Sequence, residues 1–320
     1  MSKKVAILGA AGTLGACSAF TLATQGFCDE IILIPHRREN LVKLYQIDLE
    51  GAVSGMNETK VWVGSKADLR EADVVLVCAG APWRQISSRM ELLEDSLPVA
   101  QEVAEILGQY ARLDAVVINM TNPVDPTNWV LQRLSGLARE RILGYAFNDT
   151  IRFRRLLASH LGVPGNAVDG CVMGEHGSHQ VLLFSSVRVH GEPVAVPEKI
   201  RNEIVAEIPK IVPRLEALGQ GRTVGWTCSI GVAAQVRAVL EDTGEVFPCS
   251  VVLCGEYGRQ NLSATVPARL GRGGVQGFPV VEMEECERTQ LESCFDFLEA
   301  TVRPLEQRYP QTHSAASVSG

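Results

Sequence analysis

The chain predicts a doubly wound parallel α/β domain followed by a second domain of α+β type. In the first half, short β-branched runs alternate with longer helix-patterned segments. The strand-like runs there, such as "DVVLVCAG" and "AVVINM", are almost continuously apolar, which marks strands buried on both faces and joined by helices into a parallel sheet. Beyond about residue 145 the texture changes to runs and turns that suit antiparallel pairing. A length of 320 residues exceeds what one core usually serves. The boundaries expected are 1–145, 146–309 and a tail at 310–320.

In the first domain the runs place strands at 4–9, 30–34, 60–64, 73–79, 115–120 and 141–145, with helices over 12–25, 41–53 and 89–112. In the second, a helix starts near Asp149, "AVDGCVM" and "QVLLFSSVRV" read as strands, and helices follow over 198–218 and near 231–240. "EVFPCSVVLCG" and "NLSATVPARLGRGGVQGFPVV" read as antiparallel strands with turns, before a last helix of about 25 residues from Met283. "PQTHSAASVSG" is small and polar with no apolar face, so it is expected to fray. No internal repeat is visible.

A hydrophobic content of 46% and a charged content of 21% describe an ordinary globular chain. The net charge of −7 argues against a general nucleic-acid or anionic-membrane surface. No apolar run approaches the ~18 residues of a membrane helix, and "MSKKVAILG" enters a strand too early for a cleavable signal peptide, so a cytoplasmic location is expected. The nine cysteines form no C-x-x-C pair and are expected to be reduced and mostly buried. His176 and His179 make an H-x-x-H pair without further ligands nearby in sequence, so no metal is expected.

In "GAAGTLG", Gly9, Gly12 and Gly15 fall between the first strand and the first helix, where a tight turn and close backbone approach favour residues without a Cβ. The helix then offers its N-terminal amides, around Thr13 and Leu14, to a pyrophosphate. This is the signature of a Rossmann-type dinucleotide-binding unit. Ala79 and Gly80, at the end of "DVVLVCAG", and Asn122 complete the expected cofactor contacts. The second strand lacks its usual closing acid, which would take the ribose hydroxyls and repel a phosphate there. Pro35 stands in its place, followed by His36, Arg37 and Arg38, whose guanidinium groups suit a 2′-phosphate. NADP is therefore expected in preference to NAD, although an Arg-Arg pair can also be a plain solvated turn.

"GAAGTLG", "CAGAPWRQISSRMELL", "MTNPVDPTNW", "FNDTIRFRRLLASHLGV", "GEHGSHQV" and "VFPCSVVLCGEYG" occur in an order that resembles the malate/lactate dehydrogenase family, closer to its malate branch, over residues 3–308. From chemistry alone, Asp149 and Arg152 sit three apart at a helix start and share a face. A carboxylate beside an imidazole fixes its tautomer, and an arginine fork grips a carboxylate. The resemblance assigns these roles: Asp149 orients His176, His176 gives its proton to the carbonyl oxygen during reduction, and Arg152 clamps the substrate carboxylate. The plainer readings are a helix N-cap for Asp149, a surface cation for Arg152 and a loop residue for His176.

Asn122 falls after a buried strand, at the carboxyl edge where such sheets bind ligands. The resemblance implies that it contacts substrate and nicotinamide and that Asn122–Pro123 can be cis. "APWRQISSRMELL" resembles the family's lid, with Arg89 as the residue that polarises the carbonyl. Two departures stand out. Trp83 occupies the position that holds arginine in malate dehydrogenases, so an apolar pocket for a bulky side group is expected, with Arg84 as the alternative partner of a second carboxylate. Ser178 replaces an acid after "GEHG". Thr223 and Val224 are expected at the other substrate wall.

The sequence thus implies an oxidoreductase moving a hydride between a nicotinamide cofactor, NADP before NAD, and C2 of an (S)-2-hydroxy acid/2-oxo acid pair. The alternatives are a malate dehydrogenase proper and, from another class, a non-catalytic NADPH-binding sensor or partner protein. A small-molecule substrate, no nucleic-acid or membrane partner, and a homodimer or homotetramer complete the expectation.

Overall fold

The computed structural model describes residues 2–82, 84, 89–219 and 225–310. The first half alternates strand and helix: β1 (Lys4–Leu8), α1 (Thr13–Gln25), β2 (Glu30–Ile34), α2 (Glu39–Val53), β3 (Lys60–Val63), β4 (Val74–Val77), α3 (Leu93–Tyr110), β5 (Val116–Asn119), α4 (Val124–Ser135) and β6 (Ile142–Tyr145). The inner strands are apolar runs buried along almost their whole length, as a sheet covered on both faces requires, whereas the edge strand β3 is only partly buried. Their order is β3-β2-β1-β4-β5-β6, all parallel. The order reverses between β1 and β4, and that crevice at the carboxyl ends of the strands is where such sheets bind ligands.

The second half comprises α5 (Phe147–Leu161), β7 (Val168–Gly174), β8 (Gln180–Val189), β9 (Glu192–Pro193), α6 (Glu198–Glu207), α7 (Ile211–Glu216), α8 (Trp226–Glu241), β10 (Val246–Cys254), β11 (Gln260–Gly271), β12 (Gly274–Gly277) and α9 (Glu285–Arg308). Here the pairs are antiparallel, in the order β10-β11-β7-β8-β9 with β12 on β11. The halves share one sheet, because β10 pairs antiparallel with β6, setting Cys249 opposite Tyr145 and Ser250 opposite Gly144. One core cluster, including Leu143, Val236, Val266 and Phe295, runs across that junction.

Two elements differ from the sequence expectation. The helix expected over 198–218 is broken into α6, a 3₁₀ turn (Ile208–Lys210) and α7. Pro209 and Pro213 lack the N–H that a continuous helix needs. Helix α4 was hidden among turn-forming residues, with Pro123 before it and Pro126 in its first turn. Gly136 closes α4 at φ 73°, a left-handed conformation that favours glycine. No helix among the described residues is long and apolar enough to cross a membrane.

Candidate active site

The loop after β1 fits a dinucleotide. Gly9 has φ +86°, and a Cβ there would lie 2.7 Å from Ala79 N and 2.8 Å from the Cys78 carbonyl carbon. A Cβ at Gly15 would lie 2.6 Å from Gly9 O, whereas at Gly12 nothing comes nearer than 3.4 Å. Gly9 and Gly15 thus pin the loop against β4 and against itself, and Gly12 offers backbone toward the open side. Helix α1 starts at Thr13 with Gly12 as N-cap, no side-chain cap and no acid in its first turn. Its leading amides, at Thr13, Leu14 and Gly15, suit a pyrophosphate without a competing carboxylate. Ala79 and Gly80 lie beside this loop, with the Ala79 carbonyl accepting from Thr121 Oγ1 at 2.5 Å.

Beyond β2, Pro35 follows Ile34, whose carbonyl accepts the Gly9 N–H at 3.2 Å, so the Pro35–Arg38 turn abuts the glycine loop. His36 Nδ1 lies 3.5 Å from Glu102, which also pairs with Lys66 at 3.4 Å. Arg37 and Arg38 are exposed, Arg38 as the N-cap of α2 at φ 57°. Four basic side chains therefore gather near this end of the sheet, with Glu102 as the acid between two of them.

The chemistry-bearing residues meet where the halves join. Helix α5 places Asp149 in its first turn and Arg152 one turn on. The α5 helix is held on β7 by the Val172 N–H donating to Thr150 Oγ1 at 3.0 Å and by Arg154 Nε donating to Gly170 O at 3.0 Å. The turn between β7 and β8 carries His176. Its Nδ1 lies 2.5 Å from Asp149 Oδ2, with His176 5% and Asp149 3% exposed. A buried charge-assisted bond of this kind holds the proton on Nδ1 and leaves Nε2 to exchange a proton. Arg152 Nη1 donates to the other oxygen, Oδ1, at 3.3 Å, bringing its guanidinium alongside the pair.

A second acid lies behind this pair and was not singled out from the sequence. Asp125, in the first turn of α4, is 2% exposed. Its Oδ2 accepts the His176 backbone N–H at 2.7 Å, and its Oδ1 accepts from Ser250 Oγ at 2.6 Å. Ser250 in turn lies 3.0 Å from Ser263, to which Asn128 Nδ2 donates at 3.3 Å. Burial pushes the Asp125 carboxyl up to about 7, against the hydrogen bonds from Ser250 and His176 and with help from the charges of Glu175 and Asp149. The one sequence signal was an acid flanked by Val124 and Pro126 in "NPVDP".

Asn122 ends the β5 edge; its peptide bond to Pro123 is cis and its carbonyl accepts from Ser96 Oγ at 2.7 Å. Arg84 is turned toward α3, donating from Nε to Asp95 at 2.8 Å and from its guanidinium to the Glu91 carbonyl. Its guanidinium is thus engaged on the segment that leads into α3. Arg89 opens the 3₁₀ turn Arg89–Leu92 that leads into α3. The Arg89 side chain, Trp83, Thr223, Val224 and the tail from 311 lie outside the described residues. Among the described residues, no group of three or more His, Cys, Asp or Glu side chains could hold a metal ion.

A glycine-cradled helix N-terminus at the sheet reversal, with an Asp–His pair and an arginine at the domain junction, defines a two-domain nicotinamide-dependent dehydrogenase. Two family models match, the lactate/malate dehydrogenase NAD-binding domain over residues 3–144 and the lactate/malate dehydrogenase α/β C-terminal domain over 148–308. The chain belongs to the lactate/malate dehydrogenase family and is a 2-hydroxy acid dehydrogenase of that type. It is 35% identical over 300 residues to malate dehydrogenase of Halobacterium salinarum, covering 93% of this chain and 97% of that one. The malate dehydrogenase of Cryptosporidium parvum superposes with a TM-score of 0.90 at 26% identity, covering 96% of this chain and all of that one. The lactate dehydrogenase of the same organism, solved with lactic acid and nicotinamide adenine dinucleotide, gives 0.89 at 26% identity, covering 96% and 98%.

Proposed function

We propose that the protein reduces a 2-oxo acid at C2 with NADPH, and runs the reverse oxidation of the (S)-2-hydroxy acid. The observation that carries this reading is the buried 2.5 Å contact between His176 and Asp149, with Arg152 on the same helix face. Arg152 holds the substrate carboxylate as a fork, which sets the keto carbon and oxygen relative to His176. Asp149 keeps the proton on Nδ1, so Nε2 gives its proton to the carbonyl oxygen as the hydride arrives and recovers it in reverse. The nicotinamide, when bound, supplies or accepts the hydride. Arg89 polarises the carbonyl as the lid closes, and Asn122 lies at the substrate and nicotinamide end of the crevice.

The preference for NADP rests on Pro35 in the acid's place and on His36, Arg37 and Arg38 beside the glycine loop. The bound nucleotide of the lactate dehydrogenase relative marks NAD as the competing cofactor. The substrate side group is apolar or bulky, because Trp83 replaces the distal arginine and Arg84 is engaged by Asp95 and Glu91. Thr223 and Val224 are the residues the resemblance assigns to the other side of the substrate. Malate dehydrogenase activity is the second reading, favoured by the Halobacterium salinarum relative. A sensor would need the glycine loop but not a buried proton relay with its arginine. Nine cysteines with no C-x-x-C spacing fit a reducing, cytoplasmic location. Phe20 on α1, Leu44 and Ile47 on α2, and Trp226 and Ile230 on α8 are exposed apolar residues suited to a homodimer or homotetramer contact.

The test is the ratio of kcat/KM for NADPH to that for NADH, in the parent and in an Arg37→Ser/Arg38→Ser double variant. Hydrogen bonds to charged groups are worth roughly 1.5–3 kcal/mol, so the parent is expected to favour NADPH by about tenfold or more. The double variant is expected to lose that preference with NADH kinetics unchanged. A parent that favours NADH would make the two arginines ordinary surface charges.

A further inference from the structure

The turn that carries His176 holds a second histidine in an ordered setting. Glu175, its neighbour, is 3% exposed, and a buried carboxylate is costly unless donors meet it. Both donors come from His179: its backbone N–H reaches Glu175 Oε2 at 2.8 Å, and its Nδ1 lies 2.8 Å from the same oxygen. A Cβ at Gly177 would collide with Glu175 Oε1, so the turn is wrapped around this carboxylate. Ser178, where the family's run has an acid, is exposed and adds no charge to the turn.

The same histidine fastens the turn to α9. Its ring stacks on Phe297, with centroids 3.8 Å apart and planes at 23°. One helical turn earlier, Cys294 Sγ accepts the Glu175 backbone N–H at 3.0 Å. His176 therefore sits between two anchors: Asp125 and Asp149 on one side, and the Glu175–His179 clamp on α9 on the other.

We propose that His179 is a positioning residue for the reaction. Its Nδ1–H and its stacked ring hold Glu175 and the turn on α9, and thereby hold the His176 imidazole in line with Asp149 and the substrate. This rests on His176 being the proton-exchanging residue. Displacement of a catalytic group by about 1 Å can cost on the order of 100-fold in rate, so releasing the clamp is expected to appear in turnover rather than in cofactor binding.

The experiment compares His179→Ala, His179→Asn and His176→Asn in the full chain. Turnover is measured with NADPH and the best of oxaloacetate, pyruvate, 4-methyl-2-oxopentanoate and phenylpyruvate, and cofactor binding by nucleotide fluorescence. His179→Ala is expected to lower kcat about tenfold or more while KM for NADPH and its binding stay unchanged. Asparagine can place an amide N–H where Nδ1–H stood, so His179→Asn is expected to recover most of the loss. Alanine turnover within about twofold of the parent, or an asparagine variant as impaired as alanine, would overturn the proposal. Should His179→Ala fail to fold, His179→Phe keeps the stack without the nitrogen and carries the same expectation. Full turnover in His176→Asn would instead overturn the proton-exchange reading, a result separable from either His179 outcome.

Discussion

Asp125→Asn replaces the buried acid behind His176 with a side chain shaped like its protonated form. Asn Oδ1 can accept the His176 N–H and Nδ2 can face Ser250, so the network of Asp125, Ser250 and Ser263 survives the exchange. What changes is the titration. Burial raises the Asp125 carboxyl from the ordinary 3.8 to about 7 in the folded chain. A group held higher in the folded state than in the unfolded one stabilises the fold fully below the lower value, and that contribution is lost as pH rises through the upper one. The wild-type chain should therefore lose stability between about pH 4 and 7 on account of this group, and Asp125→Asn should not. At about 1.4 kcal/mol per pH unit the gap is worth about 4 kcal/mol. With about 2.1 cal/mol/K of unfolding entropy per residue over 320 residues, that corresponds to about 6 °C in Tm for a chain melting as one unit. Calorimetric melting of both proteins at pH 5 and 8.5 gives the comparison. The expected result is a variant more stable than the parent by about 2 °C at pH 5, where part of the loss has already occurred, and by about 6 °C at pH 8.5. An equal difference at both values would show that Asp125 does not titrate in this range.

Asp149→Asn should lower kcat by about 10³–10⁴, since an amide favours the wrong imidazole tautomer; fluorescence titration should find nucleotide binding intact, and a loss below tenfold would remove the pair from the mechanism. Arg152→Lys keeps the charge and loses the fork, so kcat/KM for the 2-oxo acid should fall by about 2–3 orders of magnitude with KM for the cofactor unchanged. Gly9→Ala puts a Cβ 2.7 Å from Ala79 N at a φ of +86°; it should weaken nucleotide binding at least tenfold, about 1.4 kcal/mol, and lower Tm.

Much of the fold was legible because its physical causes are local. The buried strands announce themselves as apolar runs at Val74–Val77 and Val116–Asn119, and the glycine loop by its place after β1. Helix α4 was not legible, since "TNPVDPTN" carries five residues that favour turns, and the packing of Val124, Trp129, Val130 and Leu131 into the core supports the helix. The Asp149–His176 pair could be inferred only through resemblance, because 27 residues separate its members. Asp125 and Glu175, and the role of His179, escaped for a further reason: they depend on burial and on partners on β10 and α9 that no spacing in the sequence reveals.

The most direct measurement is the initial rate of NADPH and NADH oxidation with oxaloacetate, pyruvate, 4-methyl-2-oxopentanoate and phenylpyruvate, in the parent and in His176→Asn. Turnover of at least one 2-oxo acid, greatest with NADPH and an apolar side group and abolished in His176→Asn, is expected. Tight NADPH binding with no 2-oxo acid reduced by the parent, or turnover that survives the loss of His176, would contradict it.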